Sequence, residues 1–133
     1  MDTTVEMKPV SPAALAAFRK TKNKIVGYVV ATALENPAEV AHHGNDAERI
    51  VTAGIEFTAQ VLESVMQVGD PALLDYQLSW AADRLPHDGV SAAFVLNRFR
   101  NFASSVDLFL APEHAKEVNR WVNWLVTRQQ ALV

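Results

Sequence analysis

The chain reads as a single all-α domain, and three observations carry that reading. Apolar residues recur at helical spacing through five long stretches, and each stretch is bounded by Pro, Gly or a capping Ser, Asn or Asp. No run alternates convincingly at period two, and every connection is short. Residues 1–10 lack periodicity and contain Pro9, so they read as a flexible N-terminal arm, and residues 11–133 as the domain itself. One connector can form a helical turn and one stretch can divide, so about five to seven helices are expected.

The first stretch opens at Ser11, which caps a helix with Pro12 in its first turn, where the missing N–H costs nothing. Leu15, Phe18, Ile25, Val26, Val29, Val30, Ala33 and Leu34 carry it to Asn36, and Pro37 stops it. The basic run from Arg19 to Lys24 interrupts the stripe, which allows two helices joined near Thr21 to Asn23; the plainer role of the run is a solvated face. Residues 37–44 form a connector or helical turn. Residues 45–69 are the helix around which the chain is organised. Ile50, Gly54, Phe57, Val61, Val65 and Val68 fall on one stripe, and Val51, Ile55, Leu62 and Met66 on the next. So wide an apolar face is normally covered by several neighbours, which makes this the central helix. Asn45 is placed to cap it, with Glu48 in capping-box position, and Gly69 fits its left-handed end.

Asp70 and Pro71 open the next helix, with Leu74, Leu78, Ala81 or Ala82 and Leu85 inward, ending at Pro86. His87-Asp88-Gly89 is a corner. Ser91 caps a helix with the stripe Val95, Phe99, Phe102, Val106 and Phe109, and Pro112 opens the last, with Val118, Trp121, Val122, Leu125 and Leu132 inward. A chain of 133 residues can bury roughly two thirds of its unfolded surface in one core.

Composition narrows the function classes. Half the residues are hydrophobic (50%) and 20% are charged, as in ordinary soluble domains. The net charge of −3 and scattered basic residues give no reason to expect nucleic acid. Without cysteine there is no disulfide, thiolate metal site, cysteine nucleophile or thioether-linked chromophore. No segment is apolar enough to span a membrane and no signal-peptide core opens the chain, so a cytoplasmic location is expected. No glycine-rich phosphate loop or His-Glu-x-x-His occurs, no two Glu-x-x-His motifs are present to build a di-iron site, carboxylates sit on outward faces, and no nucleophile has an obvious base; a non-enzymatic role is expected, with no metal site.

The segment Gly69-Asp70-Pro71-Ala72-Leu73-Leu74-Asp75, continuing through Leu85 to Gly89-Val90-Ser91 and the helix beyond, resembles the phycobiliproteins, in which a glycine-aspartate pair joins two long helices and a glycine-valine corner precedes another. Those proteins are globin-like, and the resemblance covers roughly residues 27–133. It implies a globin-like fold in which Gly27 and Gly54 let helix backbones cross closely. It also shows what is missing. The distal position of a haem globin falls near Ala53, and residues 71–85 contain no His, Met or Cys to ligate iron, so no haem is expected. The family's attachment cysteine, arginine and aspartate fall on Val51, Ala53 and Gly54.

The chain is therefore similar to haem-less globins. That resemblance implies a linear tetrapyrrole (bilin) held non-covalently between the central helix and residues 71–85, with Ala53, Phe57, Trp80, Arg84, His87 and Phe94 as the expected contacts. His87 and Arg84 could hold propionates or ring nitrogens; their plainer role is to cap helix-end carbonyls. Trp80 could stack on a flat ligand or pack the helix edge. The alternative is a sensor or scaffold module that dimerises and binds either no pigment or a fatty-acid-like ligand. Trp124, with Arg120 and Arg128 beside it on the polar side of the last helix, is the expected subunit contact. His42 and His43 are adjacent and on a helix point too far apart to chelate one ion.

Overall fold

The computed structural model describes residues 7–133, Asp88 by its backbone only. Among these residues the order is α1 (Pro12–Leu34), α2 (Pro37–His43), a 3-10 turn (Gly44–Asp46), α3 (Ala47–Val68), α4 (Pro71–Arg84), a second 3-10 turn (Leu85–Asp88), α5 (Ala92–Phe109) and α6 (Pro112–Gln130), with no strand. Among the described residues no helix is long and apolar enough to cross a membrane. Capping follows local chemistry at four starts. The side chains of Ser11, Asn36, Asp70 and Ser91 accept from backbone N–H groups in the first turns of α1, α2, α4 and α5. Proline occupies the first turn of α1, α2, α4 and α6.

Three expectations are corrected at this level. α1 runs unbroken through the basic stretch, because that stretch holds neither Gly nor Pro and its side chains find partners outside the stripe. The Thr21 hydroxyl donates to the Ala17 carbonyl at 2.8 Å, while Arg19 Nε and Lys22 Nζ reach Glu63 on α3 at 3.0 and 2.8 Å. α3 starts at Ala47: the 3-10 turn absorbs Asn45, Asp46 takes the capping position, and no side chain caps the helix. Glu48 remains in the first turn, where its charge suits the helix dipole.

The arm is the third correction. Residues 1–6 lie outside the described residues, but the chain from Met7 onward is tied down. Val10 is buried and its N–H donates to the Met66 carbonyl at 3.1 Å; the indole of Trp121 donates to the Lys8 carbonyl at 3.2 Å. Pro9 lies on Gly69, whose φ of 79° closes α3; a Cβ there would stand 2.4 Å from the proline ring. Ser11 adds a lock, its N–H and hydroxyl each donating to Glu117 of α6 at 2.8 Å.

Two helix pairs make the core. α1 packs on α3, where Arg19 reaches Glu63 and Gln67 and Lys22 reaches Glu63. α5 and α6 run antiparallel, since the Asn119 amide donates to Ala103 and Asp107 and the Gln129 amide to Ala92. Between the pairs lie Phe18, Ile25, Val29, Ile55, Leu62, Met66, Phe102, Val106, Trp121 and Val122, all buried. Each large apolar side chain so buried contributes about 2 kcal/mol of transfer free energy. Phe109 is only half-buried at the rim, edge-on to Tyr28 with centroids 6.2 Å apart. Leu132, expected inward, is 47% exposed just past the end of α6.

Candidate functional site: an apolar cleft with one buried cation

The first stripe of α3 is divided. Val65 joins Val51, Ile55, Ala59, Leu62 and Met66 in the core, whereas Gly54, Phe57 and Val61 face a cleft. The far wall is α4, which buries only Leu74 and Leu78 and stands off from its neighbours. Leu85, Pro86 and Val90 close one end, Val95 and Phe99 of α5 form the floor with Leu125 of α6, and Leu132 stands at the rim. The space is about 300 Å³, within the range of small-ligand pockets. α3 is thus not covered on all sides, and Phe57, expected inward, is 48% exposed at the cleft mouth.

The polar side chains on the wall are few. Thr58 turns its hydroxyl to the Gly54 carbonyl at 3.0 Å and Gln129 donates to Ala92, while Gln77 lies on α4. Arg98 is the charged member of the lining and is only 7% exposed. Its guanidinium Nη2 donates to Glu39 of α2, itself 2% exposed, and His43 Nε2 lies 3.7 Å from the same carboxylate. The Arg98 Nε–H and His43 Nε2 are buried with no hydrogen-bond partner. Arg98 and Glu39 also border a smaller polar recess with Thr32, Asn36, Asn97, Arg100 and Asn101.

Gly54 has a role other than the expected close crossing of backbones. A Cβ on it would come within 3.2 Å of Arg98 Nη1, so this glycine makes room for the guanidinium. Gly27 is exposed, with nothing within 4 Å of the position a Cβ would take, so no helix crosses there either.

Of the residues expected at the ligand, Phe57 and Trp80 stand on the cleft wall. Ala53 is exposed beside it. His87 and Arg84 are exposed and off the wall, because α4 tightens into a 3-10 turn at Leu85 that puts Pro86 on the lining and carries His87 away from it. Phe94 lies against the histidine pair of α2, its ring centroid 6.1 Å from His42 and 6.3 Å from His43. Trp124 is half-buried rather than exposed. Arg128 lies over its ring at 4.6 Å and reaches Asp75 of α4 at 3.7 Å, so this group braces α6 against α4, while Arg120 points to solvent.

Arg98 and Glu39 went unnoticed in the sequence, although Arg98 gives a signal. It stands three residues after Val95 and four before Phe102, inside the apolar stripe of α5, where an unpaired cation would be costly. Glu39, in a seven-residue helix without a stripe, gives none. No group of three His, Asp or Glu side chains suited to a metal occurs among the described residues. Comparison with known protein families, with curated proteins and with solved structures gave no match.

Proposed function

We propose that this chain is a non-enzymatic binding domain that holds a mostly apolar small molecule in the cleft between α3 and α4. The observation that carries the reading is the unfilled stripe of α3. Gly54, Phe57 and Val61 continue the apolar face of a core helix, yet a space of about 300 Å³ lies against them, walled by Leu78, Trp80, Val95 and Phe99. Open apolar space of this size is unfavourable to leave to water and favourable to fill. The lining supports binding over catalysis, because Thr58 and Gln129 already bond to backbone carbonyls and Arg98 is held by Glu39. A resemblance to haem-less globins supports the same placement, since it too puts the ligand between the central helix and the one after it.

A bilin is the less well supported occupant. It brings two propionates, whereas His87 and Arg84 stand off the wall and the one cation on it is already paired. A compact chain-like or single-ring molecule suits the volume better.

The test is a fluorescence titration with the neutral apolar probe N-phenyl-1-naphthylamine, with biliverdin followed by visible absorption in parallel. Saturable binding at one site per chain, weakened at least tenfold in Val61→Trp, which fills the cleft, is the expected result. Absence of saturable binding of either compound would overturn the reading; a stoichiometric red-shifted bilin band would restore the tetrapyrrole as occupant.

A further inference from the structure

We infer that the polar end of the occupant is a hydroxyl, whose proton is accepted by the side-chain oxygen of Thr58, and that acceptor-only groups such as ketones, esters and ethers are bound less tightly. The inference rests on the reading of the cleft as a binding site and specifies the chemistry of its ligand.

The placement of Thr58 and the bond it already makes lead to it. Thr58 stands four residues after Gly54 and three before Val61, within the stripe of α3 that lines the cleft, and it is half-buried, so the surface it keeps is cleft surface. Its hydroxyl oxygen lies 3.0 Å from the Gly54 carbonyl oxygen. A carbonyl has no proton to give, so the hydroxyl is the donor there and has only its lone pairs left to offer. Turning the proton toward a ligand would break that bond.

That commitment separates two kinds of ligand oxygen. A hydroxyl donates to Thr58 while the bond to Gly54 stays in place. A ketone, ester or ether oxygen, whatever donor it finds elsewhere on the wall, can use Thr58 only by breaking that bond, and exchanging one hydrogen bond for another gains little. The other polar side chains of the wall do not select against a hydroxyl. Gln77, half-buried and bonded to nothing among the described residues, can donate or accept, and Gln129 keeps its amide nitrogen on the Ala92 carbonyl. Arg98 offers no unmatched charge to an ionised group, since Glu39 holds it.

The experiment sets 2-undecanol against 2-undecanone, which share a carbon skeleton and differ in whether the oxygen carries a hydrogen, by tryptophan fluorescence. The unaltered protein is expected to bind the alcohol about fivefold more tightly, a difference of about 1 kcal/mol. Thr58→Val keeps the shape of the side chain and leaves the Gly54 carbonyl its helical N–H bond. It is expected to abolish the preference, weakening the alcohol about fivefold and leaving the ketone unchanged. Thr58→Ser keeps the hydroxyl and is expected to retain the preference. Equal or tighter binding of the ketone by the unaltered protein overturns the inference whether or not either variant folds. So does a preference that survives in folded Thr58→Val or is lost in folded Thr58→Ser. If N-phenyl-1-naphthylamine binds but neither eleven-carbon compound does, this inference fails while the cleft reading stands; if none of the three binds, both fail.

Discussion

α1 and α4 both lie against α3, and they do so in opposite ways. α1 buries Ala14, Leu15, Phe18, Ile25, Val29 and Ala33 and adds the Arg19 and Lys22 links to Glu63. α4 buries only Leu74 and Leu78, and turns Leu73, Tyr76 and Trp80 outward at 45%, 70% and 50% exposure. Two helices of one small domain thus serve different ends. One is part of the core; the other covers a space. Local stability follows buried apolar contact, so α4 is held less than α1 and is the one of the two a ligand would hold further.

The contrast is broken most severely from the core side. Trp121→Ala removes the largest fully buried side chain and its bond to Lys8, and is expected to cost about 4 kcal/mol in urea unfolding. Glu39→Ala leaves Arg98 buried and unpaired and should cost about 3 kcal/mol, whereas a change of both partners to apolar residues should cost far less. Gly69→Ala forces a Cβ into Pro9 at a left-handed position, for a loss of about 2 kcal/mol together with faster proteolysis of the first ten residues.

A smaller effect is legible in pH. The Ser11 backbone N–H, and then its hydroxyl, hold the Glu117 carboxyl below the usual range, and the Lys22 and Arg19 bonds do the same for Glu63 against the opposing effect of burial. Both groups have folded values below their unfolded ones. Their stabilisation is therefore full above the ordinary value of 4.5 and is lost as pH falls through the lowered values. Glu117→Gln should lower stability above pH 4.5 and flatten the acid limb of a stability-against-pH curve, the variant and the unaltered protein converging as pH falls further. The smallest effect on stability belongs to the cleft. Trp80→Ala, on the half-exposed wall, should change unfolding by no more than about 0.5 kcal/mol, yet weaken N-phenyl-1-naphthylamine binding severalfold.

The sequence was most readable where one helix meets solvent on one side and core on the other. The caps at Ser11, Asp70 and Ser91, the prolines that open α1, α4 and α6, and the stripe Val95, Phe99, Phe102 and Val106 all stand as the pattern implies. It was least readable on α3, because periodicity shows which residues point inward and not whether anything meets them; Ile50, Phe57 and Val68 obey the same spacing as Leu62 and are far more exposed. The cation at the cleft escaped for a related reason. Its partner comes from α2, 59 residues away, and no local pattern couples Glu39 to Arg98.

The central claim is that α4 covers a ligand cleft on a fixed core of α1, α3, α5 and α6. Amide hydrogen exchange with and without N-phenyl-1-naphthylamine tests it most directly. In the free protein the amides of α4 should exchange by local opening well ahead of those of α1 and α5, and saturation with the probe should slow α4 at least fivefold while leaving α1 unchanged. Protection of α4 equal to that of α5 in the free protein, or an α4 unmoved by saturating probe, would contradict the account.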